Sequence, residues 1–439
     1  MPADLFPLRL TPFEYYYWCD DRPDYPTVFP LELVFSPALD RGPLEQALAV
    51  VIERYPLLGS LIAEDRRRGP CWVGGAPPIV VDWAGQEVPI SHVDGPRIDL
   101  HRAAGLRIWA RAGPDRTRLV LQFHHACCDG IGALRLVEDW LTAYARECGD
   151  RAAANLALAP REPAELRYRG DLDLPDRSLG AVLRDWWVGA RIWSTFAMQS
   201  PTPLAGAGTG TADSFLAFTS QSLDPELGVR LRQAATQARC TVNDILLCGL
   251  FLAVRAWNEQ RGQPDGLFRI NLPVRIRDRG DARLPSTNSL TFTFLTREAR
   301  ACDTWQGLLQ GICRETAAIK RYQLGLYFVG GLAVLGRVPG LLPWFLRRPT
   351  CRATAVLSNV GRVFPRTRLP RRAGQIVCGG AVLRSVAGVP PLRPLTRAAI
   401  VVLTYAGRTS IHLRCDPHCF DRAAQDEFLT AYIEQLTRM

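Results

Sequence analysis

Apolar positions along the chain follow two rhythms, and each predicts an element type. Residues 28 to 36 (Val-Phe-Pro-Leu-Glu-Leu-Val-Phe-Ser) read as a strand, as do residues 117 to 123 (Thr-Arg-Leu-Val-Leu-Gln-Phe). Residues 43 to 55 read as a helix. Pro43 suits a first turn, Leu44, Leu48, Val51 and Ile52 keep helical spacing, and Pro56 stops the run. Residues 132 to 146 place Leu134, Val137, Trp140, Leu141 and Tyr144 on one helical face. Residues 180 to 198 form an apolar helical segment carrying Trp186, Trp187 and Trp193. Further on, residues 215 to 221 and 289 to 295 alternate like strands. Residues 399 to 405 and 409 to 414 predict a hairpin about Ala406-Gly407, and a last helix covers 421 to 437. Thr241-Val242-Asn243-Asp244 opens a helix to about 257, with Asn243 or Asp244 expected as its cap.

Two Pro/Gly-rich stretches, 159 to 163 and 201 to 213, interrupt this order. They divide the chain into an N-terminal lobe (1–170), a connecting segment (171–213) and a C-terminal lobe (214–439). Both lobes mix strands and helices. The fold class is therefore α/β in the broad sense (α+β), with two αβ-sandwich lobes. An eightfold barrel is disfavoured because its regular alternation is missing.

Composition adjusts this picture in three ways. With 439 residues, 47% apolar and 22% charged, the chain can bury a large core, which excludes global disorder. The net charge is +10, and all but one of the 53 basic residues are arginine. Basic runs (Arg66 to Arg68, Arg275 to Arg279, Arg366 to Arg372) are scattered, not interleaved with aromatics on one face, so no nucleic-acid role is expected. Such a surface suits coenzyme phosphates, an acidic carrier protein or an anionic leaflet. Thirteen cysteines, several in apolar segments, point to free thiols in a reducing compartment. The N-terminus does not read as a secretory signal, and the expectation is a cytoplasmic protein with peripheral membrane contact at most.

The chemistry concentrates in His124-His125-Ala126-Cys127-Cys128-Asp129-Gly130, directly after a strand and before a helix. Consecutive strand side chains point to opposite faces. One imidazole should therefore face a cleft while the other anchors the structure. Asp129 can fix the turn by accepting backbone N–H bonds or by pairing with an arginine. Gly130 is expected to supply a backbone conformation that other residues resist. Two other readings remain open at this point. His124, His125, Cys127 and Cys128, with Cys415, His418 and Cys419 downstream, offer zinc ligands, although adjacent pairs splay apart. Cys127 or Cys128 could serve as a nucleophile.

The pattern His-His-x-x-x-Asp-Gly resembles the signature of the coenzyme-A-dependent acyltransferase superfamily. That group includes chloramphenicol acetyltransferase-like enzymes, nonribosomal-peptide condensation domains, wax ester synthases and polyketide-associated acyltransferases. Other segments resemble it in the same order. They are Leu10-Thr11-Pro12-Phe13-Glu14, Ala47-Leu48 through Arg54-Tyr55-Pro56-Leu57-Leu58, Thr241 to Leu247, Leu272-Pro273-Val274-Arg275-Ile276-Arg277, and Leu357-Ser358-Asn359-Val360-Gly361. The Asp-Phe-Gly-Trp-Gly motif of the plant branch is absent.

The resemblance implies two chloramphenicol acetyltransferase-like lobes with the active site in a tunnel between them. It implies His125 as general base for transfer of an acyl group from a thioester to a hydroxyl or amine. His124, Asp129 and Gly130 would complete the motif, with Arg277 as partner of Asp129. Ser358 or Asn359 would stabilise the oxyanion, and Asn243 reads as a cap more than as a catalytic group. Acyl-CoA or a phosphopantetheine thioester would be the substrate, with no resident cofactor or metal, and an acyl or peptidyl carrier protein is a candidate partner. A free-standing peptide condensation enzyme and a noncatalytic acyl- or carrier-binding relative are the alternatives.

One segment is not absorbed by the motif. Between Arg321 and Arg337 lie 15 uncharged residues, short of the ~20 that span a bilayer. Leu324 to Leu346 reads as a helix pair broken at Pro339. It would be core, the wall of an acyl-chain tunnel, or an interfacial segment through which a lipid enters.

Overall fold

The computed structural model describes residues 5–170, 179–209, 217–276, 283–302 and 304–439. Arg277, the first residues of the expected strand 215–221, part of the 201–213 stretch and the Trp186 side chain lie outside what is described.

Strands form three sheets. A small one aligns β1 (Leu8–Arg9), β4 (Gly69–Val73) and β3 (Leu61–Asp65). A seven-stranded sheet runs β12 (Arg371–Arg372), β13 (Gln375–Cys378), β14 (Ala381–Gly388), β2 (Val28–Ser36), β7 (Thr117–His124), β6 (Leu106–Ala112) and β5 (Val81–Gly85). A six-stranded sheet runs β10 (Leu290–Glu298), β9 (Leu267–Arg275), β11 (Ala355–Arg362), β15 (Ala398–Tyr405), β16 (Arg408–Cys415) and β8 (Thr219–Ser222). The helices are α1 (Pro12–Asp20), α2 (Arg41–Ile52), α3 (Gly130–Glu147), α4 (Leu179–Met198), α5 (Pro225–Gln237), α6 (Val242–Gln260), α7 (Trp305–Arg321), α8 (Gly325–Gly336), α9 (Leu341–Arg347) and α10 (Arg422–Thr437).

Local sequence accounts for most of these boundaries. The β15–β16 hairpin turns at Ala406 and Gly407, whose φ angles of 48° and 81° are those of a primed two-residue turn. Asp421 caps α10 by accepting the Ala424 N–H, as a short acceptor side chain at that position should. The helix α6 is capped by Thr241, not by Asn243 or Asp244. Thr241 and Asp244 exchange side-chain-to-backbone bonds in a capping box.

The seven-stranded sheet is not built from the N-terminal lobe alone. Residues 371–388 leave the second half of the chain, and β14 pairs with β2 from Val382 opposite Ser36 to Gly388 opposite Leu31. At the end of that pairing a Cβ on Gly388 would stand 2.8 Å from the Pro30 carbonyl, so close approach requires glycine. Among the described residues two large hydrophobic cores result. One is centred on β2, β7, α2 and α3, with Leu33, Phe35, Leu121, Trp140 and Leu141 buried in it. The other is centred on α6, α10 and the six-stranded sheet, with Phe251, Trp257, Ile400 and Phe428.

Among the described residues no single helix is long and apolar enough to cross a membrane. The apolar stretch expected as a broken helix pair is α8 and α9, bent by 116°. Gly340, with φ 78°, opens α9.

Candidate active site

The site begins with α1. Thr11 caps it, and Glu14 closes the capping box while buried completely. A buried carboxylate needs partners. Glu14 accepts from the Arg169 guanidinium twice at 2.9 Å, from Trp72 Nε1 at 3.0 Å and from the Thr11 N–H at 2.8 Å. This anchors the helix whose next turn carries Tyr16 and Tyr17.

The strand β7 ends on His124, and the two histidines then diverge. His124 is fully buried. Its Nδ1 accepts the Ala126 N–H at 3.1 Å, so its proton sits on Nε2. Nε2 faces Thr27 Oγ1 at 3.4 Å and the Asp21 carboxylate at 3.8 Å. Burial pushes Asp21 up, but His124, the Thr27 N–H and Arg97 outweigh it and hold the carboxyl below its ordinary range.

His125 holds the opposite tautomer. The Asn288 amide donates through Nδ2 to the carbonyls of His125 (2.7 Å) and Ala126 (3.0 Å), which turns its Oδ1 toward His125 Nδ1 at 3.2 Å. An acceptor at that place fixes the proton on Nδ1 and leaves Nε2 with the lone pair. Tyr17 lies over the ring, centroids 4.0 Å apart and planes 11° apart, with its hydroxyl 3.3 Å from Nε2. Burial raises the Tyr17 phenol well above its ordinary value, so it stays protonated and donates.

Asp129 joins the halves of the molecule. It caps α3 by accepting the Gly132 N–H at 2.7 Å, and its other oxygen accepts the Ser289 N–H at 2.8 Å, next to β10 of the other sheet. Its expected partner Arg277 lies outside the described residues. Gly130 departs from expectation. Its φ is not left-handed, and a Cβ there would meet nothing within 4 Å. The confined glycine is Gly132, where a Cβ would stand 3.2 Å from both Cys128 Cβ and Ser286 Cβ.

His125, Tyr17 and Gly130 line a cavity of about 1230 Å³ that reaches solvent and draws walls from both large sheets. Phe29 and Leu31 come from one sheet; Asn271, Val356 and Leu403 come from the other. Most of the lining is apolar. Asn271 is an exception, because its buried Oδ1 has no hydrogen-bond partner among the described residues.

Burial pushes His125 down from an ordinary 6.5 to about 4, although hydrogen bonding of the ring to its own carbonyl and to Asn288 opposes the shift. The ring is therefore neutral, with its lone pair available, well below pH 6. For any reaction that draws on this lone pair, the acidic limb of kcat/KM is expected near pH 4 instead of 6.5, and a pH–rate profile checks it. Stability has the matching sign. The unfolded chain takes up this proton below 6.5 and the folded chain only near 4, so stability is lost as pH falls through that window. His412, also pushed down to about 4 by burial, adds to the loss, so folding must be confirmed at each pH.

The remaining expected residues scatter. Ser358 is half-buried and lines the cavity. Asn359 is exposed, does not line the cavity, and spends its Oδ1 on the Gly361 N–H at 3.0 Å. Asn243 lies in the first turn of α6, away from the cavity. Among the described residues, the donors of His124, His125, Cys127 and Cys128 do not group as ligands, nor do those of Cys415, His418 and Cys419. Burial raises the Cys127 and Cys128 thiols well above their ordinary value, which does not suit a nucleophile. Tyr17, Asn271 and Asn288 were not singled out by sequence reading. Tyr17 sits in an aromatic run that reads as packing, and Asn288 sits in a Ser-Thr-Asn-Ser segment with no local signal.

No family model matches the chain. A Mycobacterium tuberculosis protein (strain H37Rv), whose name proposes a diacylglycerol O-acyltransferase, is 23% identical over 325 residues, covering 69% of this chain. The match spans only 62% of that relative's length. Among solved structures, the first condensation domain of the CDA synthetase superposes with a TM-score of 0.71 at 16% identity, covering 98% of this chain and 95% of that one. The starter condensation domain of rhizomide synthetase, solved with C8-CoA and Leu-SNAC, gives 0.66 at 14% identity, covering 98% and 94%. Polyketide synthase associated protein 5 from Mycobacterium tuberculosis gives 0.62 at 17%, covering 98% and 97%. The superpositions show the fold: the chain carries the fold of these condensation domains and of polyketide synthase associated protein 5.

Proposed function

We propose that the protein transfers an acyl group from a thioester, carried by coenzyme A or by the phosphopantetheine of a carrier protein, to a hydroxyl or amine. One observation carries this reading: a neutral imidazole, His125, has its Nδ1 proton committed to Asn288 and lies in an apolar cavity walled by both large sheets.

In the proposed reaction the acceptor takes the place of the Tyr17 hydroxyl at Nε2. Nε2 removes the acceptor proton as the oxygen or nitrogen attacks the thioester carbonyl. The C–S bond then breaks, and the imidazolium returns the proton to the departing thiolate. The products are an ester or amide and a free thiol, with no acyl-enzyme. Ser358 and the first N–H groups of α3 at Gly130 are the groups near the cavity suited to a developing oxyanion. Holding both substrates in one apolar space supplies much of the remaining acceleration.

The name of the mycobacterial relative favours a lipid acceptor, and the ligands of the starter condensation domain favour a coenzyme-A donor. The test is mass spectrometry of products after incubation with pooled coenzyme-A and carrier-bound thioesters and mixed alcohols and amines. An ester or amide product is expected. Thioester binding without product across the panel would favour a noncatalytic acyl- or carrier-binding protein instead.

A further inference from the structure

Where α4 and α9 end against the approach to β11, the wall of the catalytic cavity turns cationic. Arg352 stands just before β11, lines the cavity and is only 5% exposed. A buried guanidinium needs a counter-charge. Among the described residues no carboxylate stands within ion-pair distance of this one. Its hydrogen-bond acceptors are the Ala197 carbonyl at 3.4 Å and the Phe345 carbonyl at 3.5 Å, both at the outer limit of such a bond. The Phe345 and Phe196 rings, 4.2 and 5.5 Å from it, offer a partial substitute for an anion.

The acid in this region is already taken. Asp20 accepts from Arg393 through Nη2 at 2.9 Å and through Nε, and Arg22 lies 3.4 Å from it. Arg22 also reaches the Leu346 carbonyl at 2.5 Å, yet its buried Nε has no partner among the described residues. Burial pushes Arg352 down from 12.5 to about 10, and Arg393, Arg348 and Arg269 push the same way. It still carries its charge at neutral pH. The segment that delivers Arg393 is built under strain, because Leu395 has a φ of 66° where a bulky side chain is disfavoured. Tyr16 lines the cavity beside these groups, and burial raises its phenol, which stays protonated and able to donate. The Tyr16 ring is 5.8 Å from the Arg393 guanidinium and 5.2 Å from the Tyr17 ring, which stacks on His125. The cationic end and the proposed base thus belong to one cavity, with two tyrosine rings along the way.

We infer that one of the two substrates carries a carboxylate remote from its reacting atom, and that this carboxylate pairs with Arg352 and accepts from the Tyr16 hydroxyl while the reacting atom lies at His125. The inference rests on the acyl-transfer reading and adds the substrate class: a dicarboxylic acyl thioester, or a hydroxy or amino acid as acceptor. A carboxylate matches the planar fork of one guanidinium and supplies the anion that Arg352 lacks. A phosphate group, at about −1.5 to −2 charge, would call for more donors than one guanidinium and one phenol. The two sources of the carboxylate are separated by placing it on the donor or on the acceptor in turn.

Matched substrates of equal length provide the test. Succinyl-, glutaryl- and adipyl-coenzyme A are compared with butanoyl-, pentanoyl- and hexanoyl-coenzyme A, using a neutral alcohol and a neutral amine. Hydroxy and amino acids of four to six carbons are compared with their primary amides, using an acetyl donor. At least one series is expected to favour its carboxylate in kcat/KM by about ten-fold or more, the scale of a hydrogen bond to a charged group. Arg352→Gln should lower that ratio about ten-fold or more, chiefly through KM, and Arg352→Lys should recover part of it because the charge returns without the fork. Tyr16→Phe keeps the ring, should lower the ratio about three- to ten-fold, and serves if the Arg352 variants do not fold. Calorimetric titration of each substrate alone, with its co-substrate omitted, reads binding without turnover. Transfer that uses carboxylate and neutral partners equally, or a preference that survives Arg352→Gln, overturns the inference and leaves the transfer reading standing. Absence of transfer with every substrate, together with carboxylate-selective binding that Arg352→Gln removes, overturns the transfer reading and leaves the carboxylate site standing. Absence of both overturns both.

Discussion

Replacing His125 with alanine should lower acyl transfer by about 10²- to 10⁴-fold, the usual contribution of a positioned general base. The loss should fall on kcat with little change in KM, because the ring acts when the proton moves and not when substrate docks. The ring is also packed between Tyr17 and Phe29, so truncation leaves a void that costs stability. His125→Gln keeps more of that volume and serves as the control. Steady-state kinetics beside a thermal melt decides the matter: a folded variant with full activity removes His125 from the mechanism. Asn288 sharpens the argument. Its amide is oriented by two carbonyls, so its Oδ1 faces Nδ1 by construction, and the tautomer that leaves Nε2 basic is set by a residue 163 positions away in the chain.

Asp129→Ala should instead act on folding. The carboxylate is almost fully buried and accepts two backbone N–H groups, one in the first turn of α3 and one beside β10. Losing a helix cap costs about 0.5–2 kcal/mol, and leaving a buried N–H without a partner about 1–3 kcal/mol. The sum, roughly 1.5–5 kcal/mol, should appear as a lowered melting temperature. Asp129→Asn should recover part of it, since an amide oxygen can accept one of the two bonds while its NH₂ confronts the other donor. A melting temperature unchanged in Asp129→Ala, with activity lost, would move this residue from scaffolding into the chemistry.

The local elements were largely legible because periodicity and caps are local. The strand expected at 28–36 is β2, the strand expected at 117–123 is β7 with one further residue, His124, and the hairpin falls at Ala406-Gly407. The two helices expected across 324–346 break at Pro339-Gly340, where proline and a left-handed glycine stop the first and start the second. The fold class and the superfamily resemblance were legible for a related reason, since several short motifs recur in a fixed order. What escaped is long-range. Nothing near residue 381 says that β14 will pair with β2, because strand partners are chosen by the finished sheet. The alternation rule did separate the two histidines, but it could not say which nitrogen of each would carry the proton. That depends on Ala126, Thr27 and Asn288, two of which belong to other segments of the chain. Gly130 was given a conformational role because Asp-Gly is a turn signal, whereas the steric constraint falls two residues later, at Gly132.

The late arrival of β14 also bears on how the molecule is made. On the ribosome, β2 and β7 are both made by residue 124, yet the strand that covers the outer edge of β2 is complete only at residue 388. Until then a nascent chain displays an unpaired, mostly apolar edge open to pairing with a neighbouring polypeptide. Slow or interrupted synthesis between residues 371 and 388 therefore prolongs exposure of that edge, and overproduction should favour inclusion bodies over soluble product.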